Sequence, residues 1–264
     1  MAMNEYLIAD PAERKERAED KERWTLEFLR DEIYSTTAIL AREMAVGDRA
    51  ARNVLNRMAK RGLLVKDEVK FMEGRALPLW GITSSGVLEG LTPEEVETVN
   101  LRSHRVGGVS PTTIAHTLDV QRCRQHCEID LDFEDWTPTR LLPAQEKKKN
   151  HPDRWSVYPD GVVMQPVKDE RLVPVAIEVE RSRKTPQRYI QIIRGHIRNI
   201  EAKRYFRVYY FCQTKNAAAS LQALFLRLMK EKDIGYWVEN SEESEKLSPE
   251  QSVKLFVFRG MEDF

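Results

Sequence analysis

Three carboxylates stand at spacings that suit metal chemistry. The run S-V-Y-P-D-G-V-V (156–163) carries Asp160 directly after Pro159, and V-P-V-A-I-E-V-E-R-S-R-K (173–184) carries Glu178 and Glu180. Both runs are β-branched and apolar, as strands are. Residues two apart on a strand share a face, so Glu178 and Glu180 project together. A hairpin of the two strands would gather all three acids around one point. Carboxylates that close repel unless a cation lies between them. Hard oxygen donors with room for water describe Mg²⁺ or Mn²⁺, and such a site suits metal-dependent phosphodiester cutting.

The groups around the acids fit a phosphate substrate. Arg181, Arg183 and Lys184 follow Glu180 at once, and Arg188, Arg194 and Arg198 recur on the next segment. Cations beside the acids would hold a phosphate backbone, and Lys147, Lys148 and Lys149 could do the same. Asp160 alone would read as a turn residue, since P-D-G is a common turn signal. Glu178 and Glu180 alone would read as exposed positions on an edge strand. The pairing of the two runs favours the site.

Composition bounds the rest. The chain has 264 residues with 42 basic and 42 acidic side chains, so any nucleic-acid surface must come from local charge segregation. No run of about 18 apolar residues is present, so no membrane insertion is expected. The N-terminus lacks the pattern of a signal peptide, and three cysteines, an odd number, suit a reducing cytoplasm. His116 lines up with Val120, Cys123 and Cys127, but without C-x-x-C or H-x-x-x-H runs these read as core rather than zinc ligands.

The elements that position these residues fall into two domains. Residues 1–23 read as a charged helix or arm. From Trp24 an apolar stripe predicts a helix, followed by a second capped by Thr36 or Ser35. A third over 49–61 is capped by Asp48 and closed by Gly62. L-L-V-K (63–66) and A-L-P-L-W-G-I-T (76–83) then read as a β-wing. This order over 24–91 is that of a winged helix-turn-helix. In the third helix Ala51, Val54, Leu55 and Met58 face inward. Arg49, Arg52, Asn53, Asn56, Arg57 and Lys60 form the outward face, with side chains suited to guanine and adenine edges of double-stranded DNA. Residues 92–111 read as a connector, with a short helix capped by Thr92. Residues 112–264 read as α-β-β-β-α-β-α-β, with the first strand at 139–146 and an acidic loop at 239–252. The fold class is α+β, with a mixed sheet in the second domain.

That order resembles the restriction-endonuclease-like fold of the PD-(D/E)xK nucleases. Pro159-Asp160 matches the first half of the motif and Glu178-Val179-Glu180 the second, except that Glu180 stands where the family has Lys. The resemblance implies that the basic group comes from Lys184 or from Arg188. More narrowly, the chain resembles the MOBC class of conjugative relaxases (MobC/TraX type), which join a DNA-binding region to such a core with an E-x-E pair. H-T-L-D-V-Q-R-C-R, starting at His116, is similar to their pre-core helix, and Gln145-Glu146 to an acidic position before the PD strand. This implies accessory roles for His116, Glu146 and Tyr189, with water or a tyrosine such as Tyr158 or Tyr189 as nucleophile. It also implies strand-specific nicking at an origin of transfer, with the nicked single strand and a secretion-system coupling protein as further partners. A non-catalytic DNA-binding regulator and a double-strand endonuclease are the other expectations. The five histidines contain no H-x-H, so the HUH type of relaxase does not fit; Walker A and G-x-S-x-G are also absent.

Overall fold

The computed structural model describes residues 10–98, 101–142, 154–168, 171–239, 244–262 and 264. By contacts the chain divides into two units, residues 1–118 and 119–264.

In the first unit α1 spans Pro11–Glu32, with Asp10 accepting from the Ala12 amide at 2.8 Å and Pro11 in the first turn. The charged segment expected as a separate helix or arm is thus the first half of α1. Its mixed charges pair along the helix, as Lys15–Glu19 (3.7 Å) and Arg23–Asp20 (2.7 Å) do. Then come β1 (Tyr34–Ser35), α2 (Thr37–Glu43, capped by Thr36) and α3 (Asp48–Lys60). Gly47 rather than Asp48 occupies the cap of α3, and Asp48 lies in its first turn. Ala51, Val54, Leu55 and Met58 are its buried residues. β2 (Leu64–Lys70) and β3 (Ala76–Ile82) form a hairpin that β1 joins, giving the antiparallel order β1-β3-β2. α4 (Ser84–Leu88) and α5 (Pro93–Thr98) follow, and Thr92 and Glu95 cap α5 reciprocally.

His104 fastens the segment after α5 to the hairpin. Its Nε2 lies 2.7 Å from Asp67 Oδ2, and its backbone amide donates to the Ile82 carbonyl. A Cβ on Gly81 would stand 2.2 Å from the imidazole, so only glycine admits the ring there. The division between units falls inside α6 (Ile114–Gln125): Ile114 and Leu118 belong to the first unit's core, Val120 and Cys123 to the second's.

The second unit is built on a mixed five-stranded sheet of order β10-β7-β6-β5-β4. β4 (Glu134–Pro138), β5 (Gly161–Pro166) and β6 (Leu172–Glu180) run antiparallel; β6, β7 (Val208–Cys212) and β10 (Phe256–Gly260) run parallel. α7 (Pro186–Glu201) and α8 (Lys215–Glu231) cover one face, sharing a core with Ala176, Tyr210 and Cys212. Val120 and Cys123 of α6 share the other core with Val163, Val175, Ile177 and Val179. Burial on both faces explains why every residue of β7 is buried.

Two further expectations need correcting. The first strand is Glu134–Pro138, not 139–146; Thr139–Leu142 is a turn, and 143–146 lie outside the described residues. The β4–β5 register shifts between Glu134 and Thr137, and Asp135 has φ 53°, so a bulge breaks the alternation a strand would show. The stretch 239–252 is not all loop. β9 (Ser244–Lys246) pairs with β8 (Trp237–Glu239), and α9 (Pro249–Ser252) begins with a Ser248–Gln251 capping box.

Candidate functional site

Asp160 ends the loop into β5. Its amide donates to the Ile177 carbonyl at 2.9 Å, and its Oδ2 accepts from the Val179 amide at 2.8 Å. Gly161 pairs with Ile177, so Asp160 lies across from Glu178. The side chain thus takes over the ladder where β5 begins. Gly161 is fixed by a close approach, because a Cβ would stand 2.5 Å from the Trp136 ring.

Glu178 and Glu180 lie on β6, the central strand rather than an edge. Ile177 and Val179 pack in the α6-side core, whereas Ala176 belongs to the α7/α8 side. By alternation both carboxylates share the face of Ala176. Glu180 is only 8% exposed, with Oε2 2.5 Å from Lys184 Nζ and, among the described residues, no hydrogen-bond partner for its buried Oε1. Among the described residues no group of three or more His, Cys, Asp or Glu side chains could hold a metal ion. Asp160 and Glu178 stand at opposed positions where the β5–β6 register begins, and Glu180 is paired with Lys184. Two carboxylates fit a hard cation that completes its shell with water and phosphate oxygens, as Mg²⁺ does.

Behind Glu178 lies a buried polar cluster. His196 of α7 is fully buried, with Nε2 3.2 Å from Glu178 Oε1 and Nδ1 2.7 Å from the Tyr205 hydroxyl. Burial lowers its pKa to about 3, opposed by the nearby charge of Asp160, so the ring is neutral near pH 7. Asn199 donates to Tyr205 Oη and to the Val157 carbonyl, both at 2.8 Å, and accepts from the Ser156 amide at 2.9 Å. Tyr210 is buried beside these groups; burial, then Glu178 and Glu180, pushes its pKa well up.

Lys184 sits where the chain turns from β6 into α7, which Thr185 caps and Pro186 opens. Its amide donates to the Tyr189 hydroxyl at 3.1 Å. Tyr189 is buried, and burial raises its pKa, with Glu180 adding to the rise. Tyr158 stacks on Trp155 at 5.9 Å. Arg188 is exposed and reaches Gln191 at 3.5 Å. A cleft of about 180 Å³ is lined by Glu180, Arg181, Ser182, Arg183, Tyr189 and Gln213. A groove of about 400 Å³ is lined by Arg183, Lys184 and Arg227 among others. Arg183 is anchored to the carbonyl and hydroxyl of Ser220, both at 3.0 Å.

Sequence reasoning missed Asp119. It is 3% exposed and accepts from Arg122 (2.8 Å), Gln213 (3.0 Å) and Arg181. It also missed His196 and Asn199, whose signal was two polar residues among the buried isoleucines of α7. His116 is half-buried on the part of α6 that belongs to the first unit. Glu146 and Lys147–Lys149 lie outside the described residues.

In the first unit Arg49, Arg52, Asn53, Arg57 and Lys60 of α3 are exposed and Asn56 is half-buried. Asn53, Asn56, Arg57 and Lys60 line an open groove of about 620 Å³ with Lys66 of β2. Arg57 is not free: its Nε lies 2.8 Å from Glu22 Oε1 of α1. Arg52 stays near Asp48, at 3.7 Å. Among the described residues no helix is long and apolar enough to cross a membrane. Comparison with known proteins found no matching family model, no matching curated protein and no matching solved structure.

Proposed function

We propose that the chain is a metal-dependent, strand-specific DNA nicking enzyme of the relaxase type. In this reading the first unit is a winged helix and the second a restriction-endonuclease-like core. One observation carries the reading: Asp160 and Glu178 oppose each other at the β5–β6 pair, with Arg181, Arg183 and Lys184 following on the same loop. Bound at the acid pair, Mg²⁺ or Mn²⁺ would polarise the scissile phosphate and lower the pKa of an attacking water. Glu180, two residues past Glu178 on β6, holds the Lys184 ammonium, so a cation is supplied although the motif Lys is replaced. Lys184 then offsets charge developing on the phosphate. Arg183 and Arg227 line the adjoining groove and bind the backbone. The α3 face reads duplex DNA in the major groove, with Lys66 on the phosphates. On this reading the partners are duplex DNA at an origin of transfer, the nicked strand and a coupling protein, and the enzyme works in the cytoplasm.

The test is incubation of the purified chain with supercoiled origin DNA, with and without Mn²⁺. Metal-dependent nicking that Glu178→Gln abolishes supports the reading; protection without cleavage in the presence of Mn²⁺ overturns it. A second reading, a non-catalytic DNA-binding regulator, is favoured by Glu180 at the motif Lys position.

A further inference from the structure

We infer that His196 is a positioning residue for Glu178, held in one tautomer by Tyr205 and Asn199, and that this cluster braces both acid-bearing segments from α7. The inference rests on the reading of Asp160 and Glu178 as a cation seat.

The argument is hydrogen-bond arithmetic. The Tyr205 hydroxyl already accepts from Asn199 Nδ2. Its own proton needs an acceptor, and His196 Nδ1 stands 2.7 Å away. A neutral imidazole that accepts at Nδ1 carries its proton at Nε2. Nε2 lies 3.2 Å from Glu178 Oε1 without hydrogen-bond geometry, and among the described residues it has no hydrogen-bond partner; a lone pair there would repel the carboxylate, whereas an N–H attracts it. The Tyr205 contact sets the tautomer, and that tautomer turns an N–H rather than a lone pair toward Glu178. The carboxylate is steered by a neutral donor, which leaves its charge available to a cation.

The same cluster reaches the other acid through the backbone. Asn199 bonds both the Ser156 amide and the Val157 carbonyl, and three residues after Val157 stands Asp160. Gly195 lets the helix approach this segment: a Cβ there would stand 3.1 Å from Val157 Cβ. Gly195, His196 and Asn199 thus fix from one helix where the two acid-bearing segments lie.

The test uses the full chain with Mn²⁺ alone as the probe, and ¹⁵N spectra of the histidine rings in metal-free protein. Wild type should show His196 as the Nε2–H tautomer, assigned by the loss of its signals in His196→Gln. Tyr205→Phe should lose that fixed tautomer. His196→Leu should weaken Mn²⁺ binding on the order of tenfold, as outer partners of metal ligands do, while His196→Gln stays close to wild type because its amide still donates. An Nδ1–H tautomer in wild type overturns the inference. So does unchanged Mn²⁺ affinity in His196→Leu when Asp160→Ala loses binding; the cation seat then survives alone. If wild type binds no Mn²⁺, the seat itself fails and the positioning role falls with it. Should His196→Leu not fold, Tyr205→Phe carries the same comparison, with weaker Mn²⁺ binding expected and unchanged binding overturning the inference.

Discussion

Asp160 shows how one side chain serves the fold and the proposed chemistry through different properties. Its Oδ2 satisfies the Val179 amide, a role that needs an acceptor oxygen but no charge. Holding a cation needs the charge. Asp160→Asn should therefore keep thermal stability near wild type and abolish cleavage. Asp160→Ala should also lose about 1–3 kcal/mol, the cost of an unsatisfied buried amide. Differential scanning calorimetry beside a nicking assay separates the two; equal melting of both variants would make the ladder bond dispensable. His196 gives the second prediction. Its folded pKa is about 3, against about 6.5 in the unfolded chain. Between those values the unfolded state binds more protons, so stability rises with pH. The stability is fully present above about pH 6.5 and is lost, on the order of a few kcal/mol, as pH falls toward 3. Urea unfolding across that window should flatten in His196→Gln, whose amide does not titrate.

Elements were legible where one periodicity ruled them. The stripe Ala51, Val54, Leu55, Met58 gave α3 its inward face, and the unbroken apolar run of β7 marked a strand buried on both sides. β4 was hidden because a bulge at Asp135 breaks its alternation. The acids were legible as types at a spacing; their partners were not. Glu22 meets Arg57 from α1, and Tyr205 meets His196 across the end of α7, contacts that no local pattern carries. The third prediction follows from the first of these. Arg52→Ala or Asn53→Ala should relax sequence preference by about 1–3 kcal/mol per lost base contact. Arg57→Ala should instead cost stability by about 0–1 kcal/mol, the worth of an exposed ion pair, and leave base preference intact. Binding to a panel of single-base variants of the target distinguishes these outcomes. A change of preference at Arg57 would mean that it leaves Glu22 when DNA binds.

At the scale of the whole molecule, each unit has its own core, so reading and cutting should separate by mutation. Substitutions on α3 should spare Mn²⁺ binding, and Glu178→Gln should spare duplex binding. The product of the reaction then follows from counting. One Asp160–Glu178 pair per chain attacks one phosphate at a time, whereas a cutter of both strands brings two such pairs together through a self-complementary surface. A relaxase working as a single copy should convert supercoiled DNA to open circles, with one nick at one mapped position and the partner strand whole. Raising the protein concentration should change the rate of nicking and not its product. Linear DNA appearing at a rate that grows with the square of concentration would instead mark a pair of chains acting together, which is the behaviour of a double-strand endonuclease.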